Sequence, residues 1–250
     1  MQKEILKMFE IDAAGLYYRD LNARIREALA KGEKEVRVRN VNGQYYIGDG
    51  LTGNATIVLE GVPGNDLAAF MDGPTIRIKS NAQDNIGNTM NSGKVIIEGN
   101  AGDVLGYGMR GGKLHILGDV GYRVGIHMKG NKKQSPTIIV GGTAGDFFGE
   151  YLAGGLLVLL GLDGKSPMVG DYLGTGMHGG TIFIRGEVDK KNCGAEVGIL
   201  DLDDDDTKVL KTALAEYCDD LGLDIKEVMS KKFKKLVPVS LRPYGNLYAY

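Results

Sequence analysis

The stretch GNAGDVLGYGMRGGKLHILGDVGYRVGIHMKG, residues 99–130, carries the same punctuation twice. Gly99, Gly102 and Gly106 are followed three residues later by Met109 and five further on by Leu114; Gly118, Gly121 and Gly125 are followed in the same way by Met128. A G-x-x-G-x-x-x-G unit recurring at a fixed period marks a chain built from one supersecondary element stacked on its own copies.

The pattern extends in both directions. Gly142, Gly145 and Gly149 form a third complete copy, and Gly61 with Gly64 and Gly170 with Gly174 form partial ones. The last motif position runs Ala68, Gly87, Gly106, Gly125, Gly149, Gly174, and the long apolar position after it runs Met71, Met90, Met109, Met128, Leu152, Met177. A β-rich run then starts at Ile76, Val95, Leu114, Ile138, Leu157 and Ile182. The step is nineteen residues three times, then twenty-four and twenty-five, because NKKQS (131–135) and GLDGKSP (161–167) are inserted as loops. A weaker unit upstream places Gly48, Leu51 and Ile57 in the corresponding positions.

Each unit holds one run, such as TIRIK, KVIIEG or KLHILG, that is too short for a helix and is bounded by glycine. Such a run satisfies its backbone by pairing with the run of the next unit. Because a full coil joins successive runs, they stack in parallel, and crossovers of that kind are right-handed almost without exception. The expected fold is therefore an all-β solenoid, a right-handed parallel β-helix of about seven coils with helical caps at both ends. One domain is expected: a cap over 1–40, repeats over 41–188, and helices with an extended tail over 189–250. Ile76 and Ile78, Val95 and Ile97, and Leu114 and Ile116 alternate onto one inward face. The opposite face carries Arg77, Ile96, His115, Ile139, Val158 and Phe183, too mixed for the coil's own core. The glycines serve as corners, where positive φ or a close neighbouring coil excludes a Cβ.

The open ends need covers. Leu21, Ile25, Ala28 and Leu29 mark one stripe of a helix from Arg19 to Lys31, stopped by Gly32. Near the other end, Asp206 is placed to cap a helix with Val209, Leu210, Leu214 and Tyr217 on its stripe, and a second helical segment carries Ile225, Val228, Met229 and Phe233. The tail LVPVSLRPYGNLYAY is rich in Pro and Tyr and is not a regular helix.

Glycine makes up 39 of 250 residues, about twice the usual ~7 %, without a collagen triplet. The excess is positional. A net charge of −2 gives no footprint for nucleic acid or an anionic membrane. The opening MQKEILKMFEIDAAG has no signal-peptide core and no apolar run is long enough to span a bilayer, so a soluble cytoplasmic protein is expected. Cys193 and Cys218 fit no metal spacing and read as separate reduced thiols.

Candidate chemistry has a structural explanation at each position. Stacked thioethers in the Met ladder could form a soft-metal site, but the ladder shares the phase of the inward strands and includes Leu152, which indicates core filling. Asp103, Asp146 and Asp171 each follow a motif glycine in different coils and read as turn residues rather than a catalytic pair. His115 lies in a strand on the mixed face, while His127 and His178 flank ladder methionines. The acidic run 203–206 reads as a solvated helix start rather than a cation site. No catalytic, cofactor-binding or metal-binding residue is assigned, and the repeated glycine motif is not placed within a βαβ unit as a dinucleotide fingerprint requires.

The repeats GNAGDVLG, GDVGYRVG and GGTAGDFFG resemble the carboxyl-terminal domain of the glutamate synthase large subunit. GNDLAAFMDG, GYGMRGGK, GIHMKG, GEYLAGG, GTGMHGG and RPYGNLY are similar to its stand-alone, archaeal-type form, over Ile11 to Tyr248. The resemblance implies a non-catalytic scaffold. In that family a glutaminase-type part with an amino-terminal Cys releases ammonia, and a barrel with FMN and an iron-sulfur cluster makes glutamate from it and 2-oxoglutarate. Here those activities and cofactors are expected on partner chains, with no cofactor in this one; homo-oligomers are compatible with this reading. The same repeat resembles the C subunit of formylmethanofuran dehydrogenase, which would change the partners but not the fold. A β-helix carbohydrate-active enzyme is the alternative of another class, disfavoured because Ile and Val occupy the strand face where carboxylates would be needed.

Overall fold

A computed structural model describes residues 8–130 and 134–239. The short runs form strands β1 (Phe9–Asp12), β2 (Glu35–Asn42), β3 (Thr56–Val62), β4 (Asp72–Ile78), β5 (Ser92–Ile97), β6 (Lys113–Ile116), β7 (Thr137–Val140), β8 (Ala153–Leu159) and β9 (Gly179–Arg185). They pair in chain order, each parallel to the last. The result is a β-solenoid of about six turns, slightly fewer than the seven coils expected. Pairing begins at β1 and β2, upstream of residue 41, where the repeat region was expected to start.

The repeat spacing appears directly as register. Ile57, Ile76, Val95, Leu114, Ile138, Leu157 and Ile182 are successive partners across the strands, and all are fully buried. The ladder residues Met71, Met90, Met109, Met128 and Leu152 are also fully buried, and Met177 is 1 % exposed. Their three-residue offset from the last motif position is a turn closure. Met90 N–H donates to Gly87 O at 3.1 Å, Met109 to Gly106 at 3.1 Å and Leu152 to Gly149 at 3.2 Å.

Helix α1 (Tyr18–Ala30) turns Leu21, Ile25 and Ala28 into the end of the same core, as the stripe predicts, and the chain leaves it through Gly32 at φ +96°. The other end differs from the expectation. After a 3-10 turn at Lys190–Asn192 come β10 (Val197–Asp201), α2 (Asp204–Leu221), α3 (Ile225–Val228) and β11 (Phe233–Pro238). Strand β11 inserts antiparallel between β9 and β10, so strands rather than a helix continue the sheet beyond β9. Phe233 therefore opens a strand instead of lying on the second helical stripe, and α3 is a single short turn.

Helix α2 lies across the outer face of the strands. Its Leu210, Leu214, Tyr217 and Cys218 form a second core with Ile139, Val158 and Phe183. The mixed strand face is thus covered by the chain itself. Val209 is 54 % exposed, because Leu210, Leu214 and Tyr217 at i, i+4 and i+7 set the buried stripe and Val209 falls about 100° off its phase. Asp203, not Asp206, is the N-cap: Asp203 Oδ1 accepts from Asp206 N–H at 2.8 Å, and Asp206 Oδ2 accepts from Asp203 N–H at 3.2 Å. The acidic run is a reciprocal capping box. Among the described residues no helix is long and apolar enough to cross a membrane. Residues 240–250, including most of the Pro- and Tyr-rich tail, and 131–133 lie outside the described residues.

Candidate functional site

The glycine corner explains how the repeat presents side chains. Three left-handed residues recur at i, i+2 and i+4 in each coil. The first column is Asp66, Asn85, Val104, Arg123, Phe147 and Tyr172, all at φ between 55° and 63°. The second contains the last motif glycines, at φ +76° for Gly125, and the third contains Phe70, Thr89, Gly108, His127, Tyr151 and Gly176. Between the first and second columns Leu67, Ile86, Leu105, Val124, Phe148 and Leu173 point inward and are fully buried. Arg123 and Tyr172 of the first column and His127 and Tyr151 of the third are exposed, while the last motif glycines between them are buried.

Earlier motif glycines are needed for a different reason. At Gly99, Gly102, Gly118, Gly121, Gly142 and Gly170 φ is ordinary, but the carboxylate or amide of the preceding coil occupies the space where a Cβ would stand. A Cβ on Gly121 would overlap Asp103 Oδ1, and that oxygen accepts from Tyr122 N–H at 2.8 Å. The same bond joins Asp84 to Asp103 N–H and Asp146 to Asp171 N–H, both at 2.9 Å. A second column runs from Asn81 to Asn100 N–H and from Asn100 to Asp119 N–H, both at 2.9 Å. Asp103 and Asp146 therefore bind backbone, as their position suggests, but they tie one coil to the next rather than closing their own turn.

On this corner the later coils place rings where glycine would be the unstrained choice. Phe147 and Tyr172 stack with centroids 4.9 Å apart and planes 8° apart, with the Arg123 guanidinium 4.3 Å from the Phe147 centroid. Beside them His127 stacks on Tyr151 at 5.2 Å and 7°, and Tyr107 meets the His127 edge at 5.9 Å. Tyr151 and Tyr172 remain about half exposed. Glu150, nearly buried, lies 3.1 Å from Arg123 Nε. Non-glycine residues held at positive φ cost of the order of 1–3 kcal/mol each and persist where the surroundings impose them. Exposed, ordered aromatic rings are the residue type enriched in protein interfaces. The sequence contained a signal for this ridge, since Arg123, Phe147 and Tyr172 occupy one repeat position and His127 and Tyr151 another, but inward and outward turn positions could not be distinguished without the φ pattern.

His115 belongs to a separate cluster beneath α2. Its Nδ1 lies 2.8 Å from Asp220 Oδ2, which also binds Lys94 Nζ at 2.8 Å. Glu216 accepts from Lys94 at 2.6 Å and from Lys113, and the Arg77 guanidinium donates to Asp220 O and to Glu98, each at 2.9 Å. Burial, opposed by Asp220, pushes the His115 pKa down to about 4, so near neutral pH its ring is uncharged and donates Nδ1–H to the carboxylate. Burial raises the Glu216 pKa, but bonds from Lys113 and Lys94 outweigh it and hold the group at about 2. The Tyr217 hydroxyl donates to Ile116 O at 3.0 Å. This polar seam clamps α2 to β4, β5 and β6. It joins three successive coils to a helix more than 100 positions further along the chain, and of its side chains Arg77, His115 and Tyr217 stand out in the sequence. His178 remains apart, its Nδ1 3.2 Å from Gly176 O. Cys193 is partly buried and Cys218 buried, and both are free.

A family model described as GXGXG motif matches residues 19–241. Over 248 residues the chain is 43 % identical to a Methanocaldococcus jannaschii protein described as "Uncharacterized protein MJ1350", with 95 % of each chain covered.

Proposed function

Because the chain belongs to the GXGXG motif family, which is found in glutamate synthase, we propose that it is the β-helix structural subunit of a glutamate synthase-type complex. In this reading it organises a glutaminase-type chain and a synthase chain carrying FMN and an iron-sulfur cluster, and itself performs no chemical step. The observation that carries the proposal is the agreement between the family match and a coil register maintained from Ile57 to Ile182. The aromatic corner formed by Phe147, Tyr172, His127 and Tyr151 is the surface offered to the synthase chain. Rigid aromatic rings give large contact area at little conformational cost.

The test is isolation of the native complex through this chain, followed by identification of its other subunits. Glutaminase-type and flavin-barrel chains are expected, and the combined Phe147→Ala, Tyr151→Ala and Tyr172→Ala variant should fold normally by circular dichroism yet recover less of them. Recovery of a molybdenum or tungsten enzyme of methanofuran chemistry would replace this reading with the alternative redox complex. A stoichiometric flavin spectrum from the isolated chain would overturn its non-catalytic role.

A further inference from the structure

A crevice of about 430 Å³ opens along the flank of α2, over the starts of β6 and β7. That volume suits a small molecule. Its charged lining consists of Lys113 on the solenoid side and Lys208 and Glu216 on α2. Both Glu216 oxygens are already engaged, Oε1 by Lys94 at 2.6 Å and Oε2 by Lys113. Each lysine ammonium has three N–H donors, and among the described residues Lys113 is paired with Glu216 and Lys208 with Asp205, the latter at 2.8 Å. Ser135 and Thr137 add two hydroxyls to the same wall. The unused hydrogen-bonding capacity of the crevice is therefore dominated by donors, and it matches a ligand rich in acceptors.

Geometry narrows the class. Lys208 and Glu216 are eight residues apart on α2, about 12 Å along the axis, and Lys113 is held at the Glu216 end. The two ammonium groups thus belong to opposite ends of the crevice. Leu156, Val209 and Ala213 supply an apolar middle between them. The exposed Lys208–Asp205 pair exchanges readily for a ligand carboxylate because surface ion pairs contribute little.

We propose that this crevice binds a short aliphatic dicarboxylate, of the size of glutarate, with one carboxylate on Lys113 and the other on Lys208. The assignment is independent of the proposed complex. Calorimetric titration of the full chain with glutarate, its neutral diamide glutaramide, and butyrate tests it. Glutarate should bind measurably, with glutaramide and butyrate each about tenfold weaker because charge-assisted bonds are lost. Lys113→Met and Lys208→Met should each weaken glutarate by about fivefold to tenfold, and added salt should weaken it further. Val209→Trp fills the crevice from an exposed helix position and should abolish binding while the circular dichroism spectrum is retained. Absence of glutarate binding up to about 10 mM, glutaramide binding as tightly as glutarate, or wild-type affinity in any of these folded variants would overturn the proposal.

Discussion

Asp103 and Tyr122 stand one coil apart, and the Asp103 carboxylate accepts the Tyr122 backbone N–H at 2.8 Å while filling the space above Gly121. The glycine and the aspartate are therefore coupled. Gly121→Ala should destabilise the protein by about 1–3 kcal/mol through overpacking, and Asp103→Ala by about 1–2 kcal/mol through loss of the intercoil bond. In the double variant the overlapping carboxylate is gone, so its cost should fall below the sum of the single costs by at least about 1 kcal/mol. Urea unfolding of the four proteins gives the coupling directly; simple additivity would show that the carboxylate is not what excludes the Cβ.

Phe183 carries the second core. It is 1 % exposed on the outer strand face and packs in the cluster formed with Leu210, Leu214 and Tyr217 of α2. Phe183→Ala should cost about 3–5 kcal/mol, as expected for a large buried ring. A loss under about 1 kcal/mol would mean that α2 does not stay seated on the sheet in solution.

Met109 is fully buried inside the coil, the position of a core-filling side chain. Met109→Leu conserves volume at a fully buried site, so stability should change by less than about 1.5 kcal/mol and complex assembly should be retained. Loss of assembly with the fold intact would restore a specific role for the thioether ladder.

Acid should loosen α2 before it unfolds the coils. His115 faces Asp220, Lys94, Glu216 and Tyr217, and its folded pKa of about 4 lies below its ordinary 6.5. Between those values the unfolded chain holds a proton that the folded chain does not, so stability rises with pH through the window and is lost on acidification. The loss is of the order of 2–3 kcal/mol. Glu216, held at about 2 against an ordinary 4.5, loses stability in the same direction but at lower pH. Urea midpoints across about pH 7 to 4 should fall for the native chain and fall less for His115→Asn. Equal slopes in the two proteins would refute the assignment to His115.

The coil was legible because each contact that builds it recurs from one unit to the next, nineteen residues apart except where a loop is inserted. Ile76, Val95 and Leu114 were expected to begin equivalent runs, and they are register partners. The helix start was legible only in outline: four consecutive aspartates each could cap, and the reciprocal bonds between Asp203 and Asp206 decide which one does. Val209 and Phe233 were placed on buried helical stripes, but the packing of Leu210, Leu214 and Tyr217 leaves Val209 outside, and pairing with β9 draws Phe233 into a strand. The aromatic ridge was hidden for a local reason, since a ring in a glycine-rich turn can face the core or solvent and only the alternating left-handed backbone separates the two.

Sequence by itself determined the repeating coil, its strand phase, its glycine corners and its methionine core, because a solenoid's interactions are between neighbours and every unit writes them again. Only the tertiary structure decided what covers the outer strand face. The bonds that settle it are not repeated and join residues far apart in the chain: Tyr217 reaches Ile116 across 101 positions, and Arg77 reaches Asp220 across 143. A single helix laid over several coils leaves no period to read, so its seat depends on the three-dimensional surface those coils have already formed.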